Sequence, residues 1–120
     1  MIAHFALCAA LVVPFAAVAQ DLSVTYFVDG NRLLAECQSE EVLGCVRYIQ
    51  GVMDAVNISR AISGMRSCPS DKNVVTRQLM DVVVNALIAN PVDRHRAAAA
   101  LVNNAINDAW HCDSIKPTRR

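Results

Sequence analysis

The chain carries no excess of either charge: Lys+Arg and Asp+Glu number 11 each, and the formal net charge at pH 7 is +0. No basic stripe and no acidic tail stands out, so neither nucleic acid nor an anionic membrane surface is an electrostatically favoured partner. There is no Cys-x-x-Cys pair, and the cysteine spacings do not match a zinc ribbon or finger. Also missing are a glycine-rich phosphate loop, a His/acid metal pattern and a pair of catalytic carboxylates. These absences argue against an enzyme and against a bound metal or cofactor. No apolar run reaches the roughly 20 residues of a membrane span, because Pro14 interrupts the longest one.

What the N-terminus does contain is an apolar run over residues 5–13, then Pro14, then Ala17-Val18-Ala19 before Gln20. The small-x-small pattern fits cleavage after Ala19, although residues 1–4 hold no Lys or Arg. Leu7 before Cys8 is too large for a lipoprotein site. The expected organisation is a signal peptide over 1–19, one helical domain over 20–113 and a flexible tail over 114–120. The expected compartment is the periplasm, with no stable membrane insertion after cleavage. A mature chain of this size buries one modest core and usually needs staples.

Four cysteines remain after cleavage: Cys37, Cys45, Cys68 and Cys112. An even number in a small exported chain reads as two disulfides. The pattern between them is helical. A short extended arm over 21–27 leads to Asp29, a carboxylate N-cap for a helix over Gly30 to Cys37, with Leu33, Leu34 and Cys37 on one face. Ser39 is the expected cap of a second helix of about 24 residues, with Glu40 and Glu41 in its first turn. Its apolar stripe is Val42, Cys45, Ile49, Val52, Met53 and Val56, and Gly64 is its left-handed C-cap. Gly44 and Gly51 share a side of this helix. Each costs about 1 kcal/mol relative to Ala, which predicts a close-packed neighbour there.

A third helix starts at Asn73 or Thr76 and runs to about Ala89, with Val75, Leu79, Val82, Val83 and Leu87 as its stripe. Asn90-Pro91 marks a junction, with Asn90 as N-cap and Pro91 as first residue of a fourth helix. That helix shows Ala98, Leu101, Val102, Ala105, Ile106 and Ala109 on one face. The fold class is therefore all-α, a small up-and-down bundle of about four helices. Consecutive helices joined by short loops pack antiparallel, so Cys37 and Cys45 share one end, and Cys68 and Cys112 share the other. A helix of about 24 residues spans roughly 36 Å, and bridged Cα atoms lie within about 7 Å. The predicted pairs are Cys37–Cys45 and Cys68–Cys112.

Few side chains suggest chemistry. His95 lies between Arg94 and Arg96 with no identifiable partner. His111, Cys112 and Asp113 are adjacent, which does not give a triad geometry. Tyr48 reads as a core ring whose hydroxyl reaches a partner, and Asp54 as surface or polar glue. The candidate binding element is instead the loop after the second helix: Gly64, Met65, Arg66, Ser67, Cys68, Pro69, Ser70, Asp71, Lys72 and Asn73. It is rich in turn formers, displays three charges and is tethered by a cysteine.

The motifs and their order resemble the Rap/Tai family of type VI secretion immunity proteins over most of the mature chain. They are Gly30-Asn31-x-Leu33-Leu34-x-x-Cys37, Cys45-x-x-Tyr48-Ile49-x-Gly51-Val52-x-Asp54-Ala55, Val75-Thr76-x-Gln78-Leu79 after Cys68, Asn90-Pro91-x-x-Arg94-His95-x-x-Ala98, and the closing Trp110-His111-Cys112. This chain departs from the family at His111, where proline is usual, and at Ala86, where tyrosine is common. It also has Ser70-Asp71-Lys72-Asn73 where a shorter glycine-containing turn is common. The resemblance implies a small periplasmic helical protein, often a homodimer, that binds a peptidoglycan amidase effector and blocks its catalytic cleft. A different class also fits a small helical exported chain: an acid-activated chaperone or an envelope adaptor.

Overall fold

Helix α1 (Gly30–Cys37) begins at Asp29, as its sequence predicts. All four amide donors of its first turn find acceptors. The Asp29 carboxylate accepts from the Arg32 amide at 2.8 Å, and its carbonyl accepts from Leu33 at 3.0 Å. Gly30 and Asn31 donate to the carbonyls of Arg96 and Arg94 at 3.1 and 3.0 Å. Helix-end amides without such partners are a stability penalty. This docking requires a glycine: a Cβ at Gly30 would lie 2.5 Å from Leu101 Cδ1 and 2.9 Å from the Arg94 carbonyl oxygen. The computed structural model describes residues 25–112. The expected signal segment, the first part of the arm, Asp113 and the tail lie outside the described residues.

Helix α2 (Leu43–Ile62) starts later than expected and is 20 residues long, or about 30 Å. Ser39 does not cap it. Its hydroxyl is shared between the carbonyls of Glu36 (2.8 Å) and Glu41 (3.0 Å), which closes the turn between the first two cysteines. Residue Val42 stands at the N-cap with no side-chain bond. The Cys37–Cys45 disulfide spans the turn, with a Cα–Cα distance of 4.9 Å. The buried face of α2 is Cys45, Ile49, Met53 and, further along the same stripe, Arg60. Among the described residues, the close neighbour expected at Gly44 and Gly51 is absent. A Cβ at Gly51 would meet nothing within 4 Å, and one at Gly44 only the Glu36 Oε2 at 3.4 Å.

Helix α3 (Thr76–Ala89) buries Met80, Val83 and Leu87. Val75, expected on that stripe, is exposed. The Asn90-Pro91 junction does not open the last long helix. Asn90 turns its side-chain amide back to the Ala86 carbonyl at 2.9 Å, and Pro91–Asp93 forms one 3-10 turn. Residues 94–97 then run out to pair with the N-terminal arm. Asp29 and Ala97 form an antiparallel bridge, and the Tyr26 hydroxyl donates to the His95 carbonyl at 2.9 Å.

Helix α4 (Ala98–Trp110) therefore starts well past Pro91 and has no side-chain cap on Ala97. Its first amide is met from elsewhere in the fold: Ala98 donates to the Val28 carbonyl at 2.9 Å. The core draws on all four helices, with Leu33, Ile49, Val83, Val102 and Ile106 fully buried. Burying a side chain of this size stabilises by about 1.5–3 kcal/mol. Cys68 and Cys112 form the second disulfide at a Cα–Cα distance of 5.7 Å. The C-terminal ends of α2 and α4 thus meet, as the up-and-down order demands. Among the described residues there are four α-helices and no β-strand.

Candidate functional site

The loop after α2 is built from its helix outward. Gly64 has φ 71°, the left-handed value that glycine adopts without steric penalty. Its amide donates to the Ala61 carbonyl at 3.0 Å, and that of Met65 to the Arg60 carbonyl at 2.8 Å. This pair of bonds is the Schellman closure of a helix. It turns the chain sharply away from α2, as Gly64 predicts.

Two polar residues of α2 then hold the outgoing chain. Arg60 donates from Nε to the Arg66 carbonyl at 2.7 Å and from Nη2 to the Cys112 carbonyl at 3.1 Å. Asn57 accepts the Cys68 amide on Oδ1 at 2.8 Å. With the Cys68–Cys112 disulfide, these bonds fix residues 66–68 between α2 and the end of α4. Among the described residues Arg60 is the buried charged one, at 9% exposure. A buried guanidinium is tolerated when carbonyls accept its donors.

Beyond Cys68 the loop makes a second turn. The Asp71 carboxylate accepts the Asn73 amide at 2.8 Å, an Asx turn that delivers the chain to α3. At the α3 start Gln50 donates to the Thr76 hydroxyl at 3.3 Å. Of the candidate binding residues, Met65, Arg66, Ser67, Ser70, Asp71, Lys72 and Asn73 are exposed, whereas Gly64 and Pro69 are half-buried and Cys68 is buried. Asp71 works within the turn. Among the described residues, the side chains of Arg66 and Lys72 have no hydrogen-bond or ion-pair partner. The structure thus presents two free cations on a loop fixed at its base.

The other candidates do not converge. The exposed His95 ring has its Nδ1 2.9 Å from the Val92 carbonyl, a local contact within its own turn. His111 is the exposed, left-handed C-cap of α4, and Cys112 is buried in its disulfide. Tyr48 is half-buried against the start of α4 rather than in the core centre. Burial raises its phenol pKa above the ordinary 10.0, the Ala99 amide works against that rise, and the Glu36 carboxylate adds to it. Among the described residues no group of His, Cys, Asp and Glu could hold a metal ion.

A family model for Rap1a immunity proteins matches residues 29–112. The chain belongs to the Rap1a immunity protein family. The match runs from the α1 cap, Asp29, to the last bridging cysteine, Cys112, so its bounds are those of the disulfide-tied bundle. Rap1a membership carries an immunity function against a secreted effector, exercised by binding it. No curated protein and no solved structure matches the chain. No described helix is long and apolar enough to cross a membrane.

Arg60 and Asn57 are the residues of this site that sequence reasoning missed. Their signal was there: Asn57 and Arg60 lie four and seven positions after Met53, on the continuation of the buried stripe. A polar residue on an apolar helix face has to find a partner inside the fold.

Proposed function

We propose that this Rap1a family member is a periplasmic protein, exported by the signal over 1–19, that inhibits a type VI secreted peptidoglycan amidase as a homodimer. Inhibition is steric. The loop over 64–73 occupies the effector's catalytic cleft, and the protein itself catalyses nothing. Arg66 and Lys72 make the charged contacts, and Met65 adds apolar area at the loop's entry.

The observation that carries this reading is the loop's construction: free cations on an exposed segment whose base is held by Arg60, Asn57 and a disulfide. A loop ordered before binding loses less conformational entropy on docking, which favours affinity. The amidase and the periplasm come from the family resemblance and the N-terminal sequence.

The test is affinity capture with the purified protein as bait against proteins secreted by a competing bacterium. Recovery of a cysteine-peptidase-like amidase whose peptidoglycan hydrolysis the bait suppresses supports the reading. Recovery of an effector with a different activity overturns the amidase assignment.

A further inference from the structure

The two disulfides hold different parts of the fold. Cys37 is the last residue of α1 and Cys45 lies in the first turn of α2, so their bridge staples two helix ends across one tight turn. Neither Cys68 nor Cys112 lies in an α-helix. Their bridge spans a separation of 44 residues and joins the base of the 64–73 loop to the chain just past α4. Three hydrogen bonds converge on the same point. Arg60 spans the Arg66 and Cys112 carbonyls at 2.7 and 3.1 Å, and Asn57 Oδ1 accepts the Cys68 amide at 2.8 Å. Both cysteines are buried, at 2% and 1% exposure. Hydrogen bonds alone must hold an exposed segment against the conformational entropy of its free state. A covalent bridge removes much of that entropy before any partner arrives.

We infer that oxidation of Cys68 and Cys112 is the step that makes the loop competent to bind, and that this step runs one way. In a thiol-rich compartment the pair stays as thiols, and the loop base is left to Arg60 and Asn57. Docking on an effector then costs the ordering of residues 66–68. In an oxidising compartment a disulfide-bearing oxidant closes the pair. One thiolate attacks the oxidant's disulfide and forms a mixed disulfide. The second thiolate displaces the oxidant, which leaves as a dithiol. The chain loses two protons and two electrons, and the oxidant gains them. Burial of the closed bridge shields it from outside thiolates, so the loop stays set. The Cys37–Cys45 bridge has no part in this, because it lies at the start of α2 and the loop leaves from the other end. Inhibition is thereby confined to the oxidising side of the membrane. The inference deepens the inhibitory-loop reading above and rests on it.

Trypsin tests the loop without an effector, because the carbonyl of its Arg66–Ser67 bond is the one that Arg60 holds. Wild-type protein purified with its thiols reduced, and Cys68→Ser/Cys112→Ser, should be cut at that bond about tenfold or more faster than oxidised wild type, as read by mass spectrometry. Both should inhibit the captured amidase about tenfold or more weakly, while the variant keeps the helical circular dichroism of wild type. Oxidised Cys37→Ser/Cys45→Ser should match oxidised wild type in both assays. Equal cutting, or equal inhibition, by oxidised wild type and Cys68→Ser/Cys112→Ser overturns the inference. Loss of the helical spectrum in that variant also overturns it, because the bridge would then hold the bundle rather than the loop. Slow cutting that needs the Cys68–Cys112 bridge, with no captured effector inhibited by oxidised wild type, overturns the effector reading and supports the redox closure of the loop.

Discussion

Arg60 donates from Nε to the backbone carbonyl of Arg66 at 2.7 Å. The same guanidinium reaches the Cys112 carbonyl at 3.1 Å, so one side chain on α2 fastens the loop and the chain end that the disulfide also joins. Arg60→Met keeps much of the apolar stem and deletes both bonds. Hydrogen bonds from a charged donor contribute about 1.5–3 kcal/mol each, with strong overlap between neighbours. The expected loss is about 2–3 kcal/mol in urea unfolding with the disulfides intact. Faster amide exchange at residues 65–68 should accompany it. An unchanged midpoint and unchanged exchange would show that the disulfide and Asn57 suffice.

Gly30 is where α1 meets the segment before α4. Gly30→Ala forces Leu101 Cδ1 and the Arg94 carbonyl away from the contacts they now make. Overpacking of this kind destabilises by about 1–3 kcal/mol, measured by denaturant unfolding. Asp29→Ala, which deletes only the cap to the Arg32 amide, is expected to destabilise less, by about 1 kcal/mol. If Gly30→Ala is neutral, the docking of α1 on residues 94–97 is looser than described.

Tyr48 gives the pH dependence its sign. Its phenol pKa is raised in the fold, first by burial, against the Ala99 amide and with the Glu36 carboxylate. A group whose folded pKa lies above its unfolded value stabilises fully below the unfolded value. That contribution is lost as pH rises through the folded one. Stability should therefore fall at pH above 10.0, the ordinary tyrosine value. Ultraviolet titration should show one tyrosine ionising later than that value. Tyr48→Phe should remove that late component, and its persistence would assign it to another tyrosine.

How much of this was legible in the sequence differs from element to element. Asp29 and the Leu33-Leu34-x-x-Cys37 face gave α1 with both ends, because cap and stripe lie within one segment. Gly64 gave the α2 stop for the same reason. Ser39 misled, because its hydroxyl has a competing use in the tight turn under the Cys37–Cys45 bridge. Asn90-Pro91 misled because residues 94–97 are drawn into pairing with Asp29, Gly30 and Asn31, some 65 positions earlier. No local pattern carries a contact of that range. The loop's exposure was readable from its turn formers, whereas its anchoring was visible only as two polar residues on an apolar face.

Binding of the effector by the cations of the loop is tested most directly by Arg66→Glu/Lys72→Glu in an inhibition assay against the captured amidase, with circular dichroism recorded on the same samples. The expected result is about tenfold or greater loss of inhibition, with the helical spectrum unchanged, because neither side chain has a partner within the described fold. Inhibition equal to wild type would contradict it and place the binding surface elsewhere on the bundle.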